Sequence, residues 1–476
     1  MSLFGVLPDS IRRGRLTLSR AAAFALLGVA LLNGCASLPE VSRAPRNPEA
    51  VRFESGKGPL SSAQSAAILE RLKKESGETS VLDRHVAVEQ FFNDSPLVIG
   101  NRVTLLKDGK ATYAAMIAAI GKARDHINLE TYIFEDDEVG RRFSDLLIEK
   151  QQQGVQVSII HDSVGTFGTP REFFERLEAS GIRTLEFNPI NPLEGKKKSS
   201  LNHRDHRKLL IVDGRVAFLG GINISSVYSG GSASRARKAK TKNPQDAIPW
   251  RDTHVQIEGP VVAEYQKLFL DTWERQKLEA LSGSNYFPKL EAVGKEIVHA
   301  VGSTQDEAYS RIYVTLISAI NSAETSVYIT NAYFVPDPQL LDALKNAAKR
   351  GVDVRIILPS HTDFWAVFHA GRSHYGELLR AGIKVYERQG PLLHSKTVLI
   401  DDVWSCIGST NLDWRSFVHN NEIDAVVLGD RFTQEMRAMF DEDMAESRAI
   451  DLERWERRPL GMRMKEWSAR LWDYWL

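Results

Sequence analysis

Apolar residues recur along this chain in two alternating rhythms. Short apolar runs rich in β-branched residues, at 103–106, 127–134, 155–161 and 183–187, are separated by stretches at 111–123, 136–152 and 170–179 whose apolar positions fall three and four apart. The first rhythm predicts strands and the second helices. Strung together they read βαβ, which predicts a mostly parallel sheet with helices on both faces.

The same grammar returns later. Residues 327–334 parallel 127–134, a helical stretch covers 339–350, and 351–357 repeats the pattern of 154–160. The repeat spans whole domain halves, which places a first half at 97–290 and a second at 291–450. The expected fold is therefore α/β, with two pseudo-symmetric halves packed about a twofold axis. Outside them lie a Pro-containing tether at 35–60, two short polar helices within 61–96, and a Trp/Arg-rich helix at 451–476.

Each half also carries one copy of a polar pattern. The first is His206-Arg207-Lys208-Leu209-Leu210-Ile211-Val212-Asp213, followed by Gly220-Gly221-Ile222-Asn223. The second is His394-Ser395-Lys396-Thr397-Val398-Leu399-Ile400-Asp401, followed by Gly408-Ser409-Thr410-Asn411. A single H-x-K-x4-D arises by chance at roughly one position in ten thousand. Two copies with Gly and Asn at the same offsets, 188 residues apart, do not.

The spacing predicts one buried strand per copy, with His and Lys side by side at its start, since residues i and i+2 share a face. Asp213-Gly214 and Asp401-Asp402 then form hairpin turns, and the return strand ends at a Gly where backbone approaches closely. Both motifs should meet at the seam. Two imidazoles, two ammoniums and two amides at one point suit a phosphodiester. Lys and Asn would hold its non-bridging oxygens, and the two His would act as nucleophile and acid/base.

This duplicated pattern resembles the phospholipase D superfamily, and within it the bacterial cardiolipin synthase-like branch. The resemblance implies a catalytic set of His206, Lys208, Asp213, His394, Lys396 and Asp401, with Asn223 and Asn411 binding phosphate. Asp213 and Asp401 rank lowest, because an Asp at a strand-ending turn is commonly structural. It further implies a carboxylate in each half that orients a His; the matching positions are Asp252 and Glu422. It implies a metal-independent phosphatidyltransferase with no cofactor, joining two phosphatidylglycerols into cardiolipin and glycerol through a phosphohistidine on His206. The alternatives are a lipid phosphodiester hydrolase of the same superfamily, then a nuclease or a non-catalytic lipid-binding lipoprotein.

Composition and termini refine this picture. With 61 basic and 61 acidic residues the chain has no global positive field, so no nucleic-acid partner is expected. Arg12, Arg13, Arg15 and Arg20 precede an apolar stretch at 21–32 and then Leu32-Asn33-Gly34-Cys35, which resembles a lipoprotein signal at 1–34 with lipid on Cys35. Classical members of the branch carry N-terminal transmembrane helices at this point. The expected location is the cell envelope, facing the periplasm, with phospholipids at a membrane surface as partners and an outer-membrane site allowed. Cys406 then has no partner and reads as a buried thiol. The basic run 196–198 precedes the first motif, and 229–249 reads as a loop near the site mouth that could attract anionic headgroups. Trp467, Leu471, Trp472 and Trp475 share one helix face suited to a membrane interface. His203, His369 and His374 read as lining or structural, His161 ends a strand at the same edge as the motifs and could contact substrate, and no metal site is expected.

Overall fold

Asp108, Asp137, Ser310 and Asp337 each stand where an apolar-periodic stretch begins, and each side chain accepts a backbone N–H of the first helical turn. Those caps fix where the helices of the computed structural model start. It describes residue 38 and residues 53–76, 81–82, 86, 95–190, 202–230, 249–276, 280–304, 307 and 310–471. The signal segment, Cys35, Lys196–Lys198, most of the basic loop at 229–249, Trp472 and Trp475 lie outside these residues. An N-terminal helix, Ser62–Ser76, matches the first of the two predicted at 61–96; the second falls largely outside the described residues.

The first half runs β1 (Leu97–Leu106), α1 (Gly109–Lys122), β2 (His126–Thr131), α2 (Glu138–Gln152), β3 (Gln156–Asp162), α3 (Arg171–Ala179), β4 (Arg183–Phe187), β5 (Arg204–Asp205), β6 (Lys208–Val212), β7 (Val216–Gly220), β8 (Trp250–Arg251), β9 (His254–Glu258) and α4 (Val262–Gln276). The second runs β10 (Glu296–Ser303), α5 (Arg311–Ser322), β11 (Ser326–Asn331), α6 (Pro338–Lys349), β12 (Asp353–Pro359), α7 (Trp365–Ser373), α8 (Tyr375–Arg380), β13 (Lys384–Arg388), β14 (Leu392–Leu393), β15 (Lys396–Ile400), β16 (Trp404–Gly408), α9 (Trp414–Val418), β17 (Asn420–Leu428) and α10 (Asp430–Ala445). The C-terminal segment forms α11 (Leu452–Glu456) and α12 (Leu460–Arg470) in place of one helix.

The halves share one strand order. The first is β4-β3-β2-β6-β7-β9-β1. The second is β13-β12-β11-β15-β16-β17-β10. Within each of these strand orders the three strands joined by βαβ crossovers pair parallel, and the motif hairpins and the strands beyond them pair antiparallel. The parallel part is thus narrower than the alternating pattern implies, because the motif segments return by tight turns that cannot make a parallel pair.

β1 pairs antiparallel with β10 and joins the two sheets at the pseudo-twofold axis. The main apolar core crosses that line: Val98, Leu209 and Leu219 of the first half share it with Val298, Leu399 and Ile423 of the second. The motif turns form as expected. Asp213 and Gly214 have φ of 52° and 60°, and Asp401 and Asp402 have 52° and 51°. Positive φ at both central residues is the hairpin geometry that matches strand twist.

Candidate active site

The segment ahead of each motif His crosses the seam to pair with the other half. β5 lies parallel to the start of β17, with Arg204 opposite Asn420 and Asp205 opposite Asn421. β14 lies parallel to β8, with Leu392 opposite Trp250 and Leu393 opposite Arg251. The His206 N–H then donates to the Asn421 carbonyl at 3.0 Å, and the His394 N–H to the Arg251 carbonyl at 2.8 Å.

Extending each register by one residue sets Glu422 against His206 and Asp252 against His394. His206 Nδ1 lies 3.0 Å from both Glu422 carboxylate oxygens, and His394 Nδ1 lies 2.6 Å from Asp252 Oδ2. Each imidazole is therefore oriented by a carboxylate of the opposite half, and Nδ1 is committed, which leaves Nε2 for chemistry.

This crossing also corrects the expected strand. β6 and β15 begin at Lys208 and Lys396, while His206-Arg207 and His394-Ser395 form two-residue breaks. The break occurs because the chain changes partners there, from the other half to its own sheet. Arg207 is buried in its break and donates to the carbonyls of Glu422 and Ser303, each at 3.1 Å, and to the Thr272 hydroxyl at 2.8 Å. In the second break Ser395 meets the Thr253 hydroxyl at 2.9 Å.

The glycines serve this packing. A Cβ on Gly221 would collide with the Asp252 carboxylate. Ser409, at the equivalent place, donates its hydroxyl to Glu422.

Both His and both Asn line one cavity of about 350 Å³, together with Tyr132, Arg204, Trp250, Tyr333, Asp363, Phe364, Asp413 and Arg415. The wall near His394 is aromatic: Trp250 lies 4.7 Å from its ring, and Tyr228 and Tyr333 each 6.0 Å. Near His206 stands Tyr132, at 5.1 Å.

The two amides are not equivalent. Asn223 accepts from the Ile133 N–H at 3.1 Å and donates to the Tyr228 hydroxyl at 3.0 Å, so its side chain braces the wall. Asn411 Oδ1 is buried with no hydrogen-bond partner. Lys208 and Lys396 sit behind the cavity, outside its lining. Each donates to the carbonyl of its own motif His, and Lys208 Nζ lies 5.2 Å over the Tyr132 ring.

Burial dominates the electrostatics. It drives His206 well below the usual imidazole range, helped by the Lys208 and Lys396 ammoniums. Burial lowers His394 as well, with Lys396 adding to the fall and Asp252 opposing it. Lys208 is pulled down to about 7, chiefly by burial. Burial pushes Glu422 up against the pull of Lys208. At Asp252 burial acts upward, but His394 and Lys396 outweigh it and the carboxyl ends below its ordinary range.

Asp213 and Asp401 do not belong to this site. They sit at the far ends of β6 and β15, where φ is positive. The Asp213 carboxylate accepts the N–H groups of Arg124, Asp125 and His126. Asp401 accepts those of Glu324, Thr325 and Ser326 at 2.8–2.9 Å. They tie each motif turn to the start of β2 or β11 and are structural. Asp401→Ala is expected to cost about 2 kcal/mol by stranding backbone donors. Thermal melting of that variant should show the loss, while its kcat stays near the parent value.

Among the other expectations, His161 stacks on Phe174 at 3.9 Å with its pKa lowered by burial to about 4. It is structural. His203 stacks on His419 at 6.0 Å, and neither lines the cavity. Cys406 is half-buried, with its Sγ 3.6 Å from Asp424 Oδ2. Sequence reasoning missed Trp250, Tyr132, Tyr333, Arg204 and Arg415. Trp250 had a signal, standing two residues before Asp252 and hence toward the same face.

Comparison with known proteins agrees with this geometry. A family model described as "Cardiolipin synthase, PLD-like domain" matches residues 116–229 and 316–444, one segment in each half. The cardiolipin synthase of Alkalihalophilus pseudofirmus is 34% identical over 405 residues, covering 84% of this chain and 77% of that protein. The major cardiolipin synthase of Bacillus subtilis is 34% identical over 375 residues, covering 78% and 74%. Among solved structures, phosphatidylserine synthase of Haemophilus influenzae matches with a TM-score of 0.61 at 13% identity, over 83% of this chain and all of that one, a likeness of fold. With matches in both halves and to most of the length of these relatives, the chain belongs to the cardiolipin synthase family of phospholipase D-like proteins.

Proposed function

We propose that this protein is a metal-independent phosphatidyltransferase that joins two phosphatidylglycerols into cardiolipin and glycerol through a phosphohistidine. The observation that carries this reading is the pair of imidazoles lining one cavity, each braced at Nδ1 by a carboxylate from the opposite half. The His206 Nε2 lone pair attacks phosphorus. The bond from phosphorus to the glycerol oxygen breaks, and His394 gives that oxygen its proton. The second phosphatidylglycerol then loses a hydroxyl proton to His394. Its oxygen attacks phosphorus, and the P–N bond breaks.

The electrostatics support these roles. A nucleophile must be neutral, and burial with the Lys208 and Lys396 ammoniums favours the neutral His206 imidazole. A proton carrier must accept charge, and His394 has the ionised Asp252 at Nδ1. Asn411 lines the cavity, and its amide N–H would donate to a phosphate oxygen bound there. The ammoniums of Lys208 and Lys396 would reach the phosphate oxygens by rotating away from the His carbonyls they now hold. The aromatic wall at Trp250, Tyr228 and Tyr333 limits water beside His394 and favours an alcohol acceptor.

Incubating the purified protein with phosphatidylglycerol alone and resolving the lipids tests the reading. Cardiolipin with equimolar glycerol supports it; phosphatidic acid in its place makes the protein a hydrolase. The pH profile adds a second check. A lowered His206 pKa keeps the nucleophile neutral to lower pH, so the acid limb of kcat/KM should lie below 6.5. On the alkaline side kcat/KM should fall as pH rises through the lowered pKa of His394, which must carry the proton it gives, and further above about 7, where Lys208 loses its charge. Bound phosphate raises that pKa, so kcat should hold to higher pH than kcat/KM.

We also propose that Cys35 carries lipid and holds the enzyme at the periplasmic face of the envelope. The basic segment, apolar stretch and Leu32-Asn33-Gly34-Cys35 support this. Fatty-acid labelling that disappears in Cys35→Ser tests it. Among the described residues no helix is long and apolar enough to cross a membrane.

A further inference from the structure

α12 is amphipathic in an inverted sense. Its inward residues are few: Ala469 packs with Val335, Val367 and Ala370, against Tyr333 and Ala366, while buried Glu466 is held by Arg458 at 2.6 Å. Its large apolar residues point the other way. Leu460, Met464, Trp467 and Leu471 are 72%, 70%, 68% and 67% exposed. They stand at i, i+4, i+7 and i+11, which at about 100° per residue gather into one narrow stripe opposite the packed face. Arg463 and Arg470 flank one side of that stripe, and Lys465 stands beyond the other. The helix has no other acidic residue besides Glu466.

The packed face ties this stripe to the catalytic cavity, because Tyr333 and Val367 belong to the cavity lining. α7, which α12 covers, begins beside two more exposed aromatics, Phe364 and Trp365, and Phe364 also lines the cavity. The first half has a counterpart. The loop after β3 presses Gly165 against the carbonyl of Tyr132, another lining residue, and raises Phe167 with 83% of its surface exposed. β3 and β12 are equivalent strands, so both halves lift aromatic residues from the same edge beside the cavity.

We propose that the outward stripe of α12, with Phe167, Phe364 and Trp365 at the rim, is the surface that seats the cavity on an anionic phospholipid bilayer. Large exposed apolar side chains bordered by cations are what an interfacial helix needs, and they have no solvent-facing role in a free protein. The cations match an anionic lipid surface. The stripe's continuity with the cavity wall puts the site mouth at the headgroups. The inference deepens the phosphatidyltransferase reading and rests on it for the substrate's place in a membrane.

The test uses the full chain on vesicles of phosphatidylglycerol and of phosphatidylglycerol brominated along its acyl chains. Wild-type tryptophan fluorescence should be quenched by the brominated vesicles, and clearly less so in Trp467→Phe, which keeps the shape of the helix. Combining Met464→Glu, Trp467→Glu and Leu471→Glu should lower turnover on vesicles by about tenfold or more. On short-chain, monomeric phosphatidylglycerol the same protein should stay within about twofold of the parent, with a nearly unchanged melting temperature, because the stripe is mostly exposed.

Equal quenching in Trp467→Phe, or unchanged turnover on vesicles, overturns the proposal. So does a wild-type dimer that the triple variant dissociates while turnover on vesicles is kept, which makes a second copy the occupant. If the wild type fails to turn over short-chain phosphatidylglycerol, the proposed function falls; the quenching comparison still decides the surface.

Discussion

His206→Ala should lose phosphatidyl transfer by about 10⁵-fold or more, because no other group can take up the phosphoryl group and the residual rate reflects binding alone. The adduct gives the sharper readout. With phosphatidylglycerol labelled at phosphorus and an alkaline quench, the parent protein should retain label and His206→Ala none. His394→Ala keeps the nucleophile and loses the proton carrier. It should therefore still load from a donor whose leaving group needs no protonation, such as a nitrophenyl ester, and then fail to pass the group on. Label mapped to His394 in the parent protein would exchange the two roles.

Glu422→Gln should come next, lowering kcat by roughly 10³–10⁴-fold with little change in KM. The carboxylate accepts from Nδ1–H, fixing the tautomer whose Nε2 lone pair faces the cavity. An amide can present its N–H instead and turn that tautomer over. It also withdraws the negative charge that stabilises the imidazole once it is bonded to phosphorus. Asp252→Asn should act in the same way on His394 at 2.6 Å. Because Glu422 works through His206, adding Glu422→Gln to His206→Ala should cost almost nothing more, as expected for groups acting as a unit. Turnover of the single and double variants decides this; full additivity would mean that Glu422 acts elsewhere.

Local rules made much of this site readable. Asp213-Gly214 and Asp401-Asp402 announced their hairpins because positive φ at two successive positions needs such residues. The duplicated His, Lys and Asn at fixed offsets announced a shared site, and both His and both Asn do line one cavity. Asp252 and Glu422 were found by resemblance, and their partners were not assigned.

What stayed hidden was set by contacts remote in sequence. Nothing within His206–Asp213 reveals that 204–205 pairs with 420–421, so the break at His206-Arg207 could not be read. The placement of Lys208 behind the cavity follows from that break. Asn223 and Asn411 stand at the same offset, but Tyr228 engages one of them, and Tyr228 is not repeated in the second half. Tyr132 and Tyr333 break the repeat in another way. They follow β2 and β11 by one and two residues, so the two walls of the cavity differ although their strands match.

The crossed pairing at the seam has a consequence for the growing polypeptide. His206 leaves the ribosome more than two hundred residues ahead of the carboxylate that orients it, and His394 emerges long after Asp252. Until residue 422 has been made and has docked, the first half holds an imidazole with no fixed tautomer and an unpaired strand edge. A product truncated before residue 422 therefore lacks the carboxylate that fixes the His206 tautomer, and the pair of oriented imidazoles can form only after that residue has been made.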